Sequence, residues 1–225
     1  MRDEPVVLVH GFGSSFEHGW REAGWVDLLA DAGREVIGVD LLGHGQAEAP
    51  HEPEAYANLE SCVAAVLPDR PVDAIGFSLG AQLVLRLAVV DPSRFGRIVV
   101  IGIGDNTLHP EPSTALAEAF EHGAEPEDVM ARVFVSMAEG NGNDPKALAA
   151  CLRRPSSPLT VEQLGKVACP VLVIIGERDH VGPADPIVAA LPDARLVTLR
   201  GLDHFQSVRD FGCIDAALEF LDAAP

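Results

Sequence analysis

Residues 72–82 read Val-Asp-Ala-Ile-Gly-Phe-Ser-Leu-Gly-Ala-Gln, and they hold the chain's clearest chemical signal. An apolar run of strand character feeds into Gly76-Phe77-Ser78-Leu79-Gly80, and a helical pattern, Leu83-Val84-Leu85-Arg86-Leu87-Ala88, follows. Strand, sharp turn and helix with a serine at the apex is the nucleophile-elbow arrangement. Such a turn strains the backbone at Ser78 and lifts its hydroxyl clear of the sheet. Gly76 and Gly80 suit it because a Cβ at either position would collide with neighbouring chain. The helix start also puts partial positive charge beside a developing oxyanion. The competing reading is a Gly-rich turn with a passive serine, since a bare G-x-S-x-G is common by chance. A serine hydroxyl is a poor nucleophile until a base takes its proton. The rest of the chain must therefore supply a base and deliver it to this turn.

The elements around the turn alternate. Residues 6–9 form a short apolar strand ending in His10-Gly11-Phe12-Gly13. A loop runs to about residue 22, and a helix passes through Trp25, Leu28 and Leu29 to a stop at Gly33. Residues 36–40 give the second strand, followed by the loop Leu41-Leu42-Gly43-His44-Gly45-Gln46. A helix is expected over 56–66; the elbow helix ends near Asp91-Pro92, and 97–101 is another strand. Residues 105–167 carry helical patterns at 113–122, 126–138, 144–152 and 160–167 but no strand, with Thr160 and Gln163 spaced as a capping box. A strand at 170–175, a helix at 185–191, a strand at 195–199 and a helix at 209–221 complete the chain. Continuously apolar strands separated by helices imply an α/β fold, a parallel sheet covered on both faces. The whole of 1–225 is expected to be one domain, with 105–167 an inserted helical lid too short for a comfortable domain of its own.

A chain of 225 residues can bury a full core. Hydrophobic content of 48% and a mean hydropathy of +0.17 fit a globular protein. No apolar run approaches the roughly 18 residues of a membrane span, and the N-terminus lacks a signal-peptide pattern, so a cytoplasmic protein is expected. The net charge of −18 argues against nucleic acid and anionic membrane as partners and suits neutral or weakly polar substrates. Cys62, Cys151, Cys169 and Cys213 show no ligand-like spacing, which predicts free thiols and no metal site.

Together these motifs resemble the α/β-hydrolase superfamily over nearly the whole length. His10-Gly11-Phe12-Gly13 stands where that family has its oxyanion loop, and Asp40-Leu41-Leu42-Gly43-His44-Gly45 resembles its D-x-x-G-x-G segment. Gly176-Glu177-Arg178-Asp179 matches the turn carrying the acid, and Gly201-Leu202-Asp203-His204-Phe205 the loop carrying the histidine. Ser, Asp, His is the family's chain order. The resemblance implies Ser78 as nucleophile, His204 as base and Asp179 as the acid fixing the imidazole tautomer. It implies an oxyanion hole from the backbone N–H groups of Phe12 and Leu79, and no cofactor. It also implies a three-layer αβα sandwich with a mostly or wholly parallel sheet of about six strands, because the family's N-terminal hairpin is missing here. The strand at 36–40 then lies at the sheet edge, where its shortness and Asp40 discourage strand pairing, and a monomer or a helix-mediated dimer is expected.

Rival residues need weighing. Asp105 also follows a strand, the position of the acid in some lipases of the superfamily, while Asp203 is too close to His204 in sequence to reach its ring. Among the eight histidines, His10 is expected to bond loop backbone, His44 to order its Gly loop, and His18, His51, His109 and His122 to be exposed. His180 is too near Asp179 in sequence to be its partner. Trp20 and Trp25 are expected to anchor the first helix. Expected substrate contacts are Phe12, Leu79, Ile103, Phe134, Met137, Val181 and Phe205, in an open pocket under a short lid. Departures from the pattern also bear on the reaction. Gln82 stands where the menaquinone-pathway lyases have arginine, the elbow carries serine rather than aspartate, and the G-x-G-P-G style loop of carbon–carbon bond hydrolases is absent. The expected function is a carboxylesterase-like serine hydrolase acting on a small-molecule ester. Thioesterase, lactonase and cofactor-free perhydrolase are alternatives on the same residues, and a non-catalytic ligand receptor is an alternative of another class.

Overall fold

The computed structural model describes residues 3–224, so residues 1, 2 and 225 of the expected domain lie outside the described residues. Its strands are β1 (Val6–Val9), β2 (Val36–Val39), β3 (Val72–Phe77), β4 (Phe95–Ile101), β5 (Val171–Gly176) and β6 (Ala194–Leu199). They form one sheet in the order β2-β1-β3-β4-β5-β6, with every pairing parallel. The expected sandwich and strand count are therefore found, with β2 at one edge. The chain winds outward from β1 to β2, then crosses back to β3 and proceeds the other way. The switch point falls between β1 and β3, where loops leaving the carboxyl ends diverge and open a crevice.

The strands are apolar throughout because both faces are buried. Val7, Val9, Ala74, Val100 and Val173 join one core cluster with Leu83, Val84 and Leu85 of the helix Leu79–Val90 and Ile187 of the helix Asp185–Ala190. Val6, Leu8, Ile75, Val99 and Ile174 join the other with the helices Trp25–Asp31 and Phe211–Phe220. Trp20 and Trp25 are fully buried, ring against ring at 5.4 Å, and the Trp25 indole donates to the Val208 carbonyl. Arg34 ties three segments together. It donates to the Glu4 and Leu221 carbonyls and pairs with Asp73 at 2.6 Å, both side chains fully buried.

Between β4 and β5 the helices Thr114–His122, Val129–Gly140 and Pro145–Leu152 gather around Ala117, Phe120, Ala138, Leu148 and Ala149. The expected capping box of Thr160 and Gln163 is present, but its helix is one turn, Val161–Leu164, whose Leu164 returns to the main core. The helix expected over 56–66 is instead a 3₁₀ turn, Pro53–Tyr56, and a short helix, Glu60–Ala64. Tyr56 is fully buried with its hydroxyl on the Pro50 carbonyl, and the Ser61 hydroxyl takes the Asn58 carbonyl, so local side-chain bonds displace the regular ladder. At the edge, the Phe16 ring fills the space over Gly38 of β2. All four cysteines are free, Cys62 half-buried and the others buried. Among the described residues no helix is long and apolar enough to cross a membrane.

Candidate active site

Ser78 sits between β3 and the helix Leu79–Val90 with φ 50° and ψ −112°, a left-handed conformation costly for a residue with a Cβ. Close packing holds it there. A Cβ on Gly76 would stand 2.6 Å from the Ala81 backbone, and one on Gly80 would strike the carbonyls of Val9 and His10. The same approach brings the helix start against the end of β1, so Leu79 and the His10–Gly13 loop meet at the crevice. Leu79 is the first helical residue, and its N–H has no carbonyl one turn back to receive it.

The Ser78 Oγ lies 3.1 Å from His204 Nε2, and His204 Nδ1 lies 3.0 Å from both carboxylate oxygens of Asp179. Both acidic and imidazole side chains are almost wholly buried. The carboxylate holds the proton on Nδ1 and leaves the Nε2 lone pair facing the serine. Asp179 also accepts from the Val181 N–H. His204 opens a one-turn helix, His204–Ser207, whose capping box is closed by Asp203 and Gln206; Asp203 is thereby occupied away from the imidazole. The Gly176 carbonyl accepts the Asp179 N–H at 3.1 Å, closing the tight turn that carries the acid, and Gly176 also allows a close approach, because a Cβ there would collide with the Leu202 carbonyl and the Ser207 hydroxyl of the histidine loop. Phe77 wedges the site from below, its ring centre 4.9 Å from that of His204, over Gly11 and Gly102.

The rivals lie elsewhere. Asp105 contacts His109 at 3.0 Å at the surface. His10 donates from Nδ1 to the Gly11 carbonyl and accepts the Leu41 N–H on Nε2, joining two site loops, and burial lowers its pKa. His44 donates to the Leu42 carbonyl, and burial, aided by the neighbouring His10 ring, pushes its pKa down to about 3. His180 is not the partner of Asp179, but it flanks the site more closely than expected, with its ring centre 4.7 Å from that of His204. Burial and then His204 lower its pKa, against the pull of Asp179 3.8 Å away. Asp179, His180 and His204 each offer a donor atom within 4.8 Å of the others, two of them already bonded together.

A cavity of about 240 Å³ opens onto Ser78 and His204. Phe12, Phe77, Phe134, Met137, Phe205 and Val208 form its apolar wall. Three expected contacts are corrected: Leu79, Ile103 and Val181 turn their side chains into the main core, because strand-end and helix-start positions fill the sheet face before they reach the crevice. His18, expected to be exposed, is half-buried and lines the cavity with Ser14, Gly19, Asn141 and Arg209. His18 belongs to a π-helical turn, Glu17–Arg21, in a stretch without apolar periodicity, so no pattern pointed to it. Asn141 and Asn143 were missed for the same reason: they bind the Gly13 carbonyl from just beyond the helix Val129–Gly140.

A family model for the alpha/beta hydrolase fold matches residues 4–134. The chain belongs to that family. It is 27% identical to a 2-hydroxy-6-oxononadienedioate/2-hydroxy-6-oxononatrienedioate hydrolase of Cupriavidus pinatubonensis, over 90% of this chain and 81% of that protein. It is 28% identical to a pimeloyl-[acyl-carrier protein] methyl ester esterase of Nitrosomonas europaea, over 88% of each. A crystal structure of bromoperoxidase from Bacillus anthracis superposes with a TM-score of 0.73 at 23% identity, covering 98% of this chain and 92% of that one, a likeness of fold.

Proposed function

We propose that the protein is a serine hydrolase of small carboxylic esters working through an acyl-enzyme. The observation that carries this is the unbroken hydrogen-bonded chain from Asp179 through His204 to a strained Ser78 at the floor of an apolar cavity. His204 Nε2 takes the hydroxyl proton as Oγ attacks the ester carbonyl. The oxyanion accepts from the N–H groups of Phe12 and Leu79, and Asp179 stabilises the imidazolium. His204 then returns the proton to the leaving alkoxide. Water, deprotonated by the same imidazole, releases the acid and restores Ser78. Residues 105–167 act as a lid over this cavity.

The esterase relative supports an ester substrate; the carbon–carbon bond hydrolase relative favours a second reading on the same three residues, even though the G-x-G-P-G style loop is absent. A fluorophosphonate probe tests the nucleophile. Ser78 is expected to be labelled, and Ser78→Ala to lose labelling and at least about a thousandfold of p-nitrophenyl ester hydrolysis. A clean Ser78→Ala preparation that keeps its activity overturns the proposal. Unlabelled Ser78 in a folded protein favours the receptor alternative.

A further inference from the structure

The cavity beside Ser78 is lined by two kinds of side chain. Aromatic and sulfur-bearing groups, exemplified by Phe134 and Met137, share it with the polar groups of Ser14, His18, Asn141 and Arg209. Acidic residues outnumber basic ones 34 to 16 in the chain, yet no carboxylate lines this cavity among the described residues, and Arg209 is its one permanently charged side chain.

The state of Arg209 is also informative. Its guanidinium donates to the His18 carbonyl at 2.9 Å, and among the described residues it has no carboxylate within ion-pair distance. A guanidinium has five N–H donors. One bond to a backbone carbonyl fixes its position without neutralising its charge. Of the two carboxylates at that turn, Glu17 pairs with Arg21 and Glu22 lies 3.8 Å from His18 Nε2. Arg21, Arg34, Arg70, Arg97 and Arg153 are each paired with an acid, whereas Arg209, like Arg94, Arg132, Arg154 and Arg178, bonds a backbone carbonyl; what sets the exposed Arg209 apart is that it lines the cavity. An arginine held at a cavity wall with its charge unmatched suits a planar anion that accepts two N–H bonds.

We propose that the substrate carries a carboxylate besides the ester being cleaved, and that Arg209, with the Ser14 hydroxyl, binds it. This rests on the ester-hydrolase reading and names its substrate class. It also runs against the expectation from net charge alone: a local cation in a cavity free of acids draws in an anion that the rest of the surface repels. The charged group can sit on the acyl side or the alcohol side of the ester, and the two sources are separable.

The experiment compares kcat/KM for two matched sets. Monomethyl esters of straight-chain dicarboxylic acids, succinate to suberate, are paired with methyl esters of the corresponding monocarboxylic acids. Acetyl esters of ω-hydroxy acids are paired with acetyl esters of plain alcohols. In one set, at some chain length, the acid-bearing ester is expected to exceed its neutral partner by about tenfold or more. That ratio is expected to fall to about one in Arg209→Gln, mainly through KM, and to be partly kept in Arg209→Lys. A ratio at or below one throughout both sets, or a preference that survives Arg209→Gln, overturns the proposal. Calorimetric titration of Ser78→Ala with the same half esters reads binding without turnover. Binding there that vanishes in Ser78→Ala/Arg209→Gln upholds the anion site even if no ester is hydrolysed, and absence of binding refutes it. Hydrolysis of neutral esters alone leaves the ester-hydrolase reading standing while this one fails.

Discussion

The side-chain N–H of Asn143 donates to the Gly13 carbonyl at 2.8 Å, and its oxygen accepts the Gly45 N–H at 2.9 Å. One buried amide thus joins the segment after the helix Val129–Gly140 to the loop that carries Gly13 and to the loop that carries Gly45. The Gly13 carbonyl follows directly on Phe12, whose N–H is assigned to the oxyanion. Asn143→Asp replaces the donor by an oxygen facing that carbonyl. The loop should shift and kcat fall by about tenfold to a hundredfold, with a smaller change in KM. Steady-state kinetics on a short p-nitrophenyl ester checks this; a pure KM effect would mark Asn143 as a substrate contact instead.

Asp179 and Asp105 make opposite predictions. Asp179→Asn keeps the shape but favours the wrong imidazole tautomer, and kcat should drop by about a thousandfold to ten-thousandfold. Asp105→Asn disturbs only the surface contact with His109 and should cost less than about tenfold. The reverse pattern would move the acid to Asp105 and leave Ser78 and His204 standing.

The cavity near Ser78 is about 240 Å³, bounded by the contact of Phe134 and Phe205, whose ring centres are 5.1 Å apart. Acetate or butyrate esters should exceed laurate in kcat/KM. A maximum at laurate would show that the lid helices part to open a longer channel.

His44 and His10 are held neutral by burial, with His44 near 3 in the fold against about 6.5 when unfolded. A folded-state pKa below the unfolded one means that the unfolded chain takes up protons first. Stability is therefore full above about pH 6.5 and falls as pH drops toward the folded value. Each such histidine contributes a slope of up to about 1.4 kcal/mol per pH unit. Urea titrations between about pH 6 and pH 5 should show this slope, and His44→Asn should reduce it by about one proton's worth. An unchanged slope would mean that His44 is protonated in the fold.

How much of this was legible beforehand depended on whether the cause was local. The elbow, the order of Ser78, Asp179 and His204, and the six parallel strands each follow from a short stretch whose apolar run or glycine spacing admits few alternatives. The cavity wall does not. Ile103 and Val181 carry the right apolar chemistry, but which way a residue just past a strand faces depends on the packing of the next element. Arg209 and His18 meet across 191 residues of chain, and no periodicity in either segment announces that encounter. The broken helix around Tyr56 was misread because hydroxyl and carbonyl bonds within the segment outweighed its helical spacing.

Arg34 reaches the Glu4 carbonyl, the Leu221 carbonyl and the Asp73 carboxylate at once. These belong to the entry to β1, the end of the last helix and the central strand β3. Loosening any one takes a partner from the buried Arg34 guanidinium, so the three should open as a single cooperative unit in native-state hydrogen exchange. Amides of β1 and of the helix Phe211–Phe220 should then share one exchange free energy, and Arg34→Met should lower both together. The helices Thr114–His122 and Val129–Gly140, gathered on the small cluster of Ala117, Phe120 and Ala138, should exchange on their own schedule, less tightly coupled to the frame that holds Ser78 than β1 and the last helix are to each other.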